Sequence, residues 1–283
     1  MTTLAIFHST IRLEEKLIAE AARSRGLAVR LVDIRTLVLS PASFPVDFDV
    51  ALERSVSTVK GDYAVLFLES LRVPVVNSSF VAANCEDKFR TSLLLRRAEV
   101  LTPRFAMAFD VDQALEAVEE LGGFPVVLKP PLGSWGRLLA KVNDRDALEA
   151  ILEHKDVLGT PPQKAYYLQE FVRKPGRDIR AFVVGDELLC AIYRESEHWI
   201  TNTARGGTAS NCLPTDDLRS VCRRAASAVG GGLLAIDLFE TPDGLSVNEI
   251  NHTMEFKNSE APTGVSISGA IVDYCLHLAK GRN

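Results

Sequence analysis

The sequence predicts a mixed fold of the α/β and α+β classes, with a parallel α/β unit followed by a small α+β unit and a mostly antiparallel one. Three observations support this prediction. Strand and helix patterns alternate near the N-terminus, prolines at 161 and 162 mark a seam, and beyond them strand patterns follow one another with one helix inserted. We expect domains at residues 1–84, 85–165 and 166–283.

The N-terminal unit has the βαβ pattern of a parallel sheet with helices on its faces. Gly26 follows the first helical pattern and is a typical helix stop. The first turn, His8 to Arg12, lacks the glycines of a dinucleotide-binding fingerprint, which argues against a Rossmann cofactor site. The predicted strands are Leu4–His8, Leu27–Ile34, Val50–Glu53 and Val73–Val76, and the predicted helices are Leu13–Ser24 and Thr58–Leu71.

The central unit is predicted to contain helices and short strands, and strands dominate after the proline seam. The clearest element of the central unit is the helix Asp110–Leu121, which has an apolar stripe at helical spacing and ends at two glycines. The other central elements are predicted at Glu86–Arg97, Val126–Lys129, Leu138–Val142 and Ala147–His154. The C-terminal strands are predicted at Tyr166–Val172, Ile179–Val184, Glu187–Tyr193, Leu233–Glu240 and Leu245–Asn251, with helices at Asp216–Val229 and Gly269–Ala279.

Composition excludes several classes of function. The formal charge of −5 and the pI of about 5.6 argue against a nucleic-acid backbone as the main partner. Five scattered cysteines without a CxxC pair argue against a zinc site and a disulfide framework. No apolar stretch approaches the roughly 20 residues that a membrane span needs, and the apolar start Leu4–Phe7 is too short for a signal peptide. We therefore expect a cytoplasmic protein with no membrane partner.

A predicted hairpin in the C-terminal unit carries candidate metal ligands. Thr241 to Gly244 has the composition of a turn between two strands. Glu249 and Asn251 are two residues apart and share a face, and pairing back from the turn brings Asp237 opposite Glu249 or one position away. Carboxylate and amide oxygens suit Mg²⁺, which is often held together with substrate phosphates. The alternative is a pair of solvated acids on a hairpin.

Residues upstream of this hairpin could handle phosphate. Lys129 and Arg137 flank a loop with glycines at 133 and 136, whose backbone N–H groups could cradle phosphate oxygens, although the loop lacks the ending of a P-loop. The alternative is an ordinary hairpin connection. Arginines at 177, 180, 194 and 205 could stabilise a transferring phosphoryl group or an oxyanion, or could be solvated. Asp178 could bind a ribose or pair with Arg180.

Polar residues after the hairpin are candidates to bind a small carboxylate substrate, although they could equally form an ordinary polar loop. They are Lys257, Asn258, Ser259, Thr263 and Gly264, and His198 with Trp199 is a similar open case.

The ordered motifs resemble those of the ATP-grasp ligases over essentially the whole chain. They are Lys88, Lys129, GSWGR at 133–137, LQEF at 168–171, RDIRAFVVG at 177–185, NTARGG at 202–207, Asp237 and NEIN at 248–251. Within that superfamily the chain resembles the RimK-type group, and above all the LysX-type ligases of lysine biosynthesis through an amino-carrier protein. HWITNTARGG at 198–207 and NEINHTMEFKNS at 248–259 carry that second resemblance.

The resemblance implies an ATP-grasp fold with an N-terminal α/β domain, a central lid and a C-terminal domain, and ATP held between the last two. It implies catalytic roles for Lys129 and for Arg205, which would stabilise a tetrahedral intermediate, and two Mg²⁺ ions on Asp237, Glu249 and Asn251. The implied nucleotide-binding residues are Lys88, Lys129, Gly133, Ser134, Trp135, Gly136, Arg137, Gln169, Glu170, Phe171, Val172, Asp178, Arg180, Arg194 and Asn202. The implied substrate residues are His198, Thr203, Ala204, Arg205, Glu255, Phe256, Lys257, Asn258, Ser259, Thr263 and Gly264.

The resemblance also implies a reaction and its partners. A carboxylate would be phosphorylated and then attacked by an amine. The carboxylate would belong to the C-terminal Glu of LysW, a small acidic carrier protein, and the amine would be α-aminoadipate. Thr263-Gly264-Val265 resembles the aminoadipate-specific form more than the glutamate-specific one.

The alternatives are a glutamate ligase that acts on the same carrier or on a ribosomal protein tail, and an ATP-binding regulatory scaffold without activity. We further expect a dimer or tetramer, and a basic docking patch for the carrier at Arg173, Lys174 and Arg177.

Overall fold

A computed structural model describes residues 1–133, 138–201 and 206–281 of the chain. Among these residues, the N-terminal unit forms a parallel four-stranded sheet in the order β2-β1-β3-β4. Its elements are β1 (Thr3–His8), α1 (Leu13–Ser24), β2 (Ala28–Asp33), a 3-10 turn (Ile34–Thr36), β3 (Val50–Glu53), α2 (Thr58–Ser70) and β4 (Val75–Val76). The predicted parallel βαβ unit is therefore present, as the fold class requires.

Two helices follow where the sequence predicts one. They are α3 (Ser79–Glu86) and α4 (Lys88–Arg97), and Asp87 separates them. The Asp87 side chain accepts hydrogen bonds from the backbone N–H groups of Phe89 and Arg90, so it caps the second helix. This cap fixes Lys88 at the start of α4.

The central unit is a small antiparallel sheet in the order β5-β8-β6-β7 with two helices against it. Its elements are β5 (Phe105–Ala108), α5 (Val111–Glu120), β6 (Val126–Lys129), β7 (Ala140–Val142), α6 (Arg145–Leu158), a 3-10 turn (Pro161–Lys164) and β8 (Tyr166–Glu170). Strand β8, predicted as the first strand of the C-terminal series, hydrogen-bonds to β5 and β6 of this sheet. The domain boundaries at residues 84 and 165 stay predictions.

The C-terminal unit is an antiparallel five-stranded sheet in the order β11-β10-β9-β12-β13. Its elements are β9 (Arg177–Val184), β10 (Glu187–Glu195), β11 (Thr208–Cys212), α7 (Asp216–Val229), β12 (Leu233–Thr241), β13 (Gly244–Asn251), α8 (Glu260–Thr263) and α9 (Ile267–Lys280). Helix α7 has an apolar stripe of buried residues and packs on one face of this sheet.

The other face of the C-terminal sheet shares a core with the N-terminal unit. Leu4, Ile6 and Ile18 pack in one cluster with Phe182 and Ile271. The small sheet instead has a core of its own, which includes Val118, Leu128 and Leu152. The N- and C-terminal units are thus joined by buried apolar surface, whereas the small sheet is packed as a separate body.

The side chain of Asn77 fastens the N-terminal unit to the C-terminal sheet. Its Nδ2 donates to the carbonyls of Leu233 (2.8 Å) and His252 (2.6 Å), and its Oδ1 accepts from Leu233 N–H at 2.7 Å. Gly232 is required beside it, because its φ is +105° and a Cβ there would collide with Asn77 Oδ1. The contact fixes the cleft between the two units.

Candidate active site

Strands β12 and β13 form the predicted hairpin, and a β-bulge sets its register. Thr241 pairs with Gly244 across a two-residue turn, yet Asp237 pairs with Glu249 because the register shifts by one after Leu238–Val247. Asn248 is the extra residue of the bulge. The alternative that the sequence left open is thereby decided, with Asp237 opposite Glu249 and Ala235 opposite Asn251.

Two arginines hold the carboxylate of Asp237. Arg180 donates two hydrogen bonds of 2.8 Å to its two oxygens, and Arg194 Nη2 lies 3.1 Å from Oδ2. Burial alone would raise the pKa of Asp237, but these two guanidinium groups hold the pKa below its ordinary value. Asp237 is therefore an anion. Its two oxygens already accept hydrogen bonds from arginine, so few lone pairs are left to bind a metal ion.

Asp178 does not have the predicted environment of a ribose ligand. It is 4% exposed and accepts two hydrogen bonds from Arg194 at 2.7 and 2.8 Å, and others from Lys174 and the Thr201 hydroxyl. Its oxygens are occupied within the protein, and it pairs with Arg194 rather than Arg180. Asp178 therefore positions Arg194, and its contact with a ribose stays a prediction.

Lys129 is a buried cation at the end of β6. Its Nζ donates to Gln169 Oε1 at 2.6 Å and to Asn248 Oδ1 at 2.9 Å, so it connects the small sheet to the bulge of the hairpin. Burial lowers the pKa of Lys129 from 10.5 to about 8, against the attraction of Glu249. The group keeps its charge at neutral pH at a considerable free-energy cost.

Lys88 lies on the other side of Glu249. Its Nζ donates to the carbonyl of Gly133 and lies 3.9 Å from Glu249 Oε1, while its backbone N–H donates to Pro131 O at 3.0 Å. The start of the predicted glycine loop is thus tied to α4. The rest of that loop, Ser134 to Arg137, lies outside the described residues.

A cavity of about 450 Å³, here the lid cavity, separates the small sheet from the C-terminal sheet. Cationic groups line one part of it and apolar or aromatic side chains another, which suits a ligand with an anionic end and a flat apolar end. The cations are Lys129, Arg173, Lys174 and Arg194, and the apolar group includes Val127, Leu139, Phe171, Trp199 and Phe239. Carboxylates also line the cavity, namely Glu170, Asp178, Glu197, Asp237 and Glu249. All four residues from Gln169 to Val172, which are predicted to bind nucleotide, line it.

A second cavity of about 250 Å³, here the N-terminal cavity, lies between the N-terminal unit and the hairpin. Charged groups of both signs line it. They are Arg12, Lys88 and Arg180, and Asp62, Glu86, Glu249 and Glu255. Glu249 lines both cavities, so a group that enters from either side reaches the same carboxylate.

The predicted substrate residues do not form one site. Glu255 lines the N-terminal cavity and is bound by Arg12 at 2.8 Å, but His198 lines the lid cavity beside Trp199. Phe256 is fully buried in the core shared by the N- and C-terminal units and lines neither cavity, and its substrate contact stays a prediction. None of the other residues predicted after the hairpin lines either cavity, namely Lys257, Asn258, Ser259, Thr263 and Gly264. Asn202, Thr203, Ala204 and Arg205 lie outside the described residues.

The predicted basic docking patch is not a set of free cations. Lys174 turns inward, donates to Thr201 at 2.7 Å and lies 5.0 Å from the Phe239 ring centroid. Arg177 forms two hydrogen bonds with Glu240 and stacks over Tyr193. Lys174 and Arg177 are therefore not free cations, and carrier docking at this patch stays a prediction. Only Arg173 of the three is exposed without an ion pair among the residues that the structure describes.

Several residues that line the cavities were not predicted from the sequence, because only the folded structure brings them to the site. Asn248 was overlooked because strand alternation points it away from Glu249, and only the bulge brings it to Lys129. Arg12, Asp62 and Glu86 come from the N-terminal unit and α3, and no local motif marks them.

The donors on the hairpin fit a hard divalent cation. Within residues 1–133, 138–201 and 206–281, no three His, Cys, Asp or Glu side chains form a metal cluster, so any site needs an amide or phosphate oxygen as well. Glu249 has its nearest cation 3.9 Å away, and Asn251 lies two residues further on the strand. This carboxylate–amide set, completed by ligand oxygens, is what Mg²⁺ uses.

Comparison with known proteins agrees with this architecture. A RimK-like ATP-grasp domain model matches residues 85–275, and a LysX preATP-grasp domain model matches residues 4–84. The α-aminoadipate–LysW ligase LysX of Saccharolobus solfataricus is 36% identical over 95% of this chain and 99% of its own length. The glutamate–LysW ligase ArgX of Sulfurisphaera tokodaii is 35% identical over 93% of this chain and 94% of its own length.

Solved structures give the same result for the fold. A RimK-domain ATP-grasp protein from Sphaerobacter thermophilus superimposes with a TM-score of 0.81 at 29% identity, over 97% of this chain and 100% of that protein. The ATP complex of D-alanine–D-alanine ligase from Bacillus anthracis has a TM-score of 0.72 at 15% identity, over 100% of this chain and 98% of that one, which is a likeness of fold alone. No helix in the described ranges is long and apolar enough to cross a membrane. The chain has the ATP-grasp fold and belongs to the RimK-like family of ATP-grasp ligases.

Proposed function

We propose that this ligase joins the C-terminal Glu of a LysW carrier protein to the α-amino group of α-aminoadipate at the expense of ATP. The observation that carries the proposal is end-to-end similarity to an α-aminoadipate–LysW ligase, 36% identical over 95% of this chain. The two cavities that meet at Glu249 support it, since one can take a nucleotide and the other an acceptor carboxylate with an amine.

The cation distribution suits phosphoryl transfer to a carboxylate. A carboxylate is a poor electrophile, and phosphorylation provides a leaving group that an amine can displace. Lys129, Lys88 and Arg194 would neutralise phosphate charge from three sides, so that catalysis is mainly positioning and electrostatic stabilisation. The buried environment of Lys129 makes its charge more effective, because fewer water molecules screen it.

Asp237, Glu249 and Asn251 would hold two Mg²⁺ ions, which would neutralise the charge of the ATP phosphates. Arg180 and Arg194 already contact Asp237, so metal binding would compete with part of this contact. Titration with Mn²⁺ followed by paramagnetic relaxation counts the ions directly. A single bound ion in the presence of an ATP analogue would contradict the proposed pair.

Three further assignments belong to the same proposal. Arg205 would stabilise the tetrahedral intermediate with Thr203 and Ala204 beside it, and Gly133 to Arg137 would close over the nucleotide. A homo-oligomer in the cytoplasm is proposed on family grounds, and light scattering of the purified protein tests its size.

Glutamate is the competing amine, because a glutamate–LysW ligase is 35% identical over 93% of the chain. The two amino acids differ by one methylene, which is worth about 1–3 kcal/mol in a fitted pocket. The resemblance of Thr263-Gly264-Val265 to the aminoadipate-specific form favours aminoadipate, although Thr263 and Gly264 line neither cavity.

The decisive experiment supplies ATP, Mg²⁺, LysW and equal amounts of both amino acids, and measures the mass of intact LysW. An aminoadipyl adduct is expected, and ADP should form in step with it. A glutamyl adduct would replace the proposed substrate, and no adduct of either kind would refute carrier ligation. Glu249→Gln is the inactive control, and Glu116→Gln on the exposed face of α5 is its matched surface control.

A further inference from the structure

One wall of the N-terminal cavity carries two neighbouring carboxyl groups. Asp62 on α2 and Glu86 at the end of α3 both line the cavity, and their side chains lie within hydrogen-bonding distance of each other. Glu53 at the end of β3 is close enough to act on both electrostatically. Three acids thus converge from three different elements.

These carboxyl groups have no lysine or arginine partner in the described part of the chain. No Lys or Arg there lies within ion-pair distance of Asp62 or Glu86, and the nearest basic group to Glu86 is His252, with Nε2 3.5 Å from Oε1. By contrast, four other carboxylates along the cleft have an arginine partner, namely Glu15, Asp178, Asp237 and Glu255, and Glu249 has Lys88 at 3.9 Å.

An independent observation also indicates a ligand at this wall. Ser55 lines the same cavity and is 5% exposed, yet its Oγ makes no well-aligned hydrogen bond although the carboxyl group of Glu53 lies close to it, and Glu86 Oε1, 3.5 Å from His252 Nε2, makes none either. Buried polar atoms almost always have partners in native proteins. A hydroxyl and a carboxylate oxygen are therefore left for a hydrogen-bonding group that enters the cavity.

The charges around the cavity define that group. Arg12, Lys88 and Arg180 line other parts of it, so anionic ends of a ligand would turn toward them and away from Asp62 and Glu86. An amino acid that carries carboxylates and one ammonium group matches this separation. We propose that Asp62 and Glu86, with Ser55, form the subsite that binds the ammonium group of the amine substrate. This subsite rests on the proposed ligase function. It would act in the second step, in which the amine attacks the acylphosphate.

Proton chemistry follows from the geometry. Burial raises the pKa of Glu86 to about 8, and the negative charges of Asp62 and Glu53 add to this effect. The free pair therefore holds a proton at pH 7, which a bound ammonium group would expel. The pair then takes one proton from the ammonium group, and the nitrogen lone pair forms the C–N bond as the C–O bond to phosphate breaks. The second proton lost by nitrogen leaves with the phosphate.

The test compares two nucleophiles for one acylphosphate. Wild type, Asp62→Asn, Glu86→Gln and the surface control Glu116→Gln are given LysW, ATP and Mg²⁺, with either α-aminoadipate or hydroxylamine, which is neutral and needs no ammonium subsite. Both cavity variants should show at least a tenfold higher KM for α-aminoadipate. Their ratio of amide to hydroxamate formation should fall by a similar factor, as expected from losing a charge-assisted hydrogen bond.

The outcomes separate the two proposals. If wild type forms hydroxamate and amide while both variants keep its KM and its ratio, the ammonium subsite is refuted and the ligase function stands. If wild type forms neither product, the ligase function fails and the subsite fails with it. Calorimetry on wild type in buffers of different ionisation enthalpy is independent of how the variants fold. It should detect proton release when α-aminoadipate binds at pH 7, and no release would overturn the subsite.

Discussion

Lys129→Met should separate the stability of this protein from its nucleotide binding. A pKa that falls from 10.5 to about 8 means that the folded state holds the Lys129 charge at a cost of about 3 kcal/mol at pH 7. The unfolded chain binds this proton more tightly, so wild-type stability should rise by that amount between pH 8 and 10.5. Methionine has a similar length and no charge, so the variant should lack this rise.

At pH 7 the loss of two hydrogen bonds offsets the relief of charge burial. Lys129 donates to Gln169 and Asn248, and each bond contributes about 1 kcal/mol or more. We therefore expect the free energy of unfolding to change by less than about 2 kcal/mol at pH 7. Affinity for a non-hydrolysable ATP analogue should fall about tenfold to a hundredfold, because a buried cation facing phosphate is lost.

Urea unfolding at pH 7 and pH 10, with calorimetric titration of the ATP analogue, measures both quantities. Lys16→Met on the exposed side of α1 is the matched control and should leave both unchanged. If wild type and Lys129→Met show the same pH dependence of unfolding, Lys129 is not a desolvated cation. If the analogue binds both proteins equally well, its assigned role is wrong.

Three further substitutions test the site. Asp178→Asn should lower stability by about 3 kcal/mol in urea unfolding, because it weakens the pairing of the buried Arg194, and a loss of nucleotide affinity with unchanged stability would instead support the ribose role. Glu249→Gln should reduce ligation at least a hundredfold, measured as ADP release, and should weaken Mn²⁺ binding in the presence of ATP; unchanged metal binding would remove it from the metal site. Phe256→Ala should lower the free energy of unfolding by about 3–5 kcal/mol while KM for the amino acid changes little. A raised KM with unchanged stability would instead support the predicted substrate contact of Phe256.

Local sequence patterns predicted most helices and strands, but they did not predict which strands pair with each other. Alternating strand and helix signals predicted the parallel N-terminal unit, because each βαβ repeat is encoded in a short stretch of chain. Strand β8 has an ordinary strand pattern, but its neighbours β5 and β6 lie far away in sequence, so its sheet could not be assigned. Short elements such as α3 and β11 have too few residues for a periodic signal.

The fate of Asp178 illustrates the same limit in the site. Alternation along β9 places Asp178 and Arg180 on one face, which suggested that they pair with each other. In the sheet, Asp178 lies directly opposite Arg194 on β10, and Arg180 lies directly opposite Asp237 on β12. Cross-strand neighbours are closer than residues two apart on one strand, so Asp178 pairs with Arg194 and Arg180 pairs with Asp237. The order of the strands, which no local pattern encodes, therefore determines which arginine pairs with each carboxylate.

The bulge at Asn248 explains how one strand serves both cavities. In a regular strand, consecutive side chains point to opposite faces, so Asn248 and Glu249 could not both line the lid cavity. The register shift between Asp237 and Leu238 lets both of them do so. Asn248 then binds Lys129 while Glu249 faces Lys88 at 3.9 Å, so two lysines from separate elements meet at adjacent residues. A hairpin without this extra residue would keep its acids and lose the junction between nucleotide and acceptor.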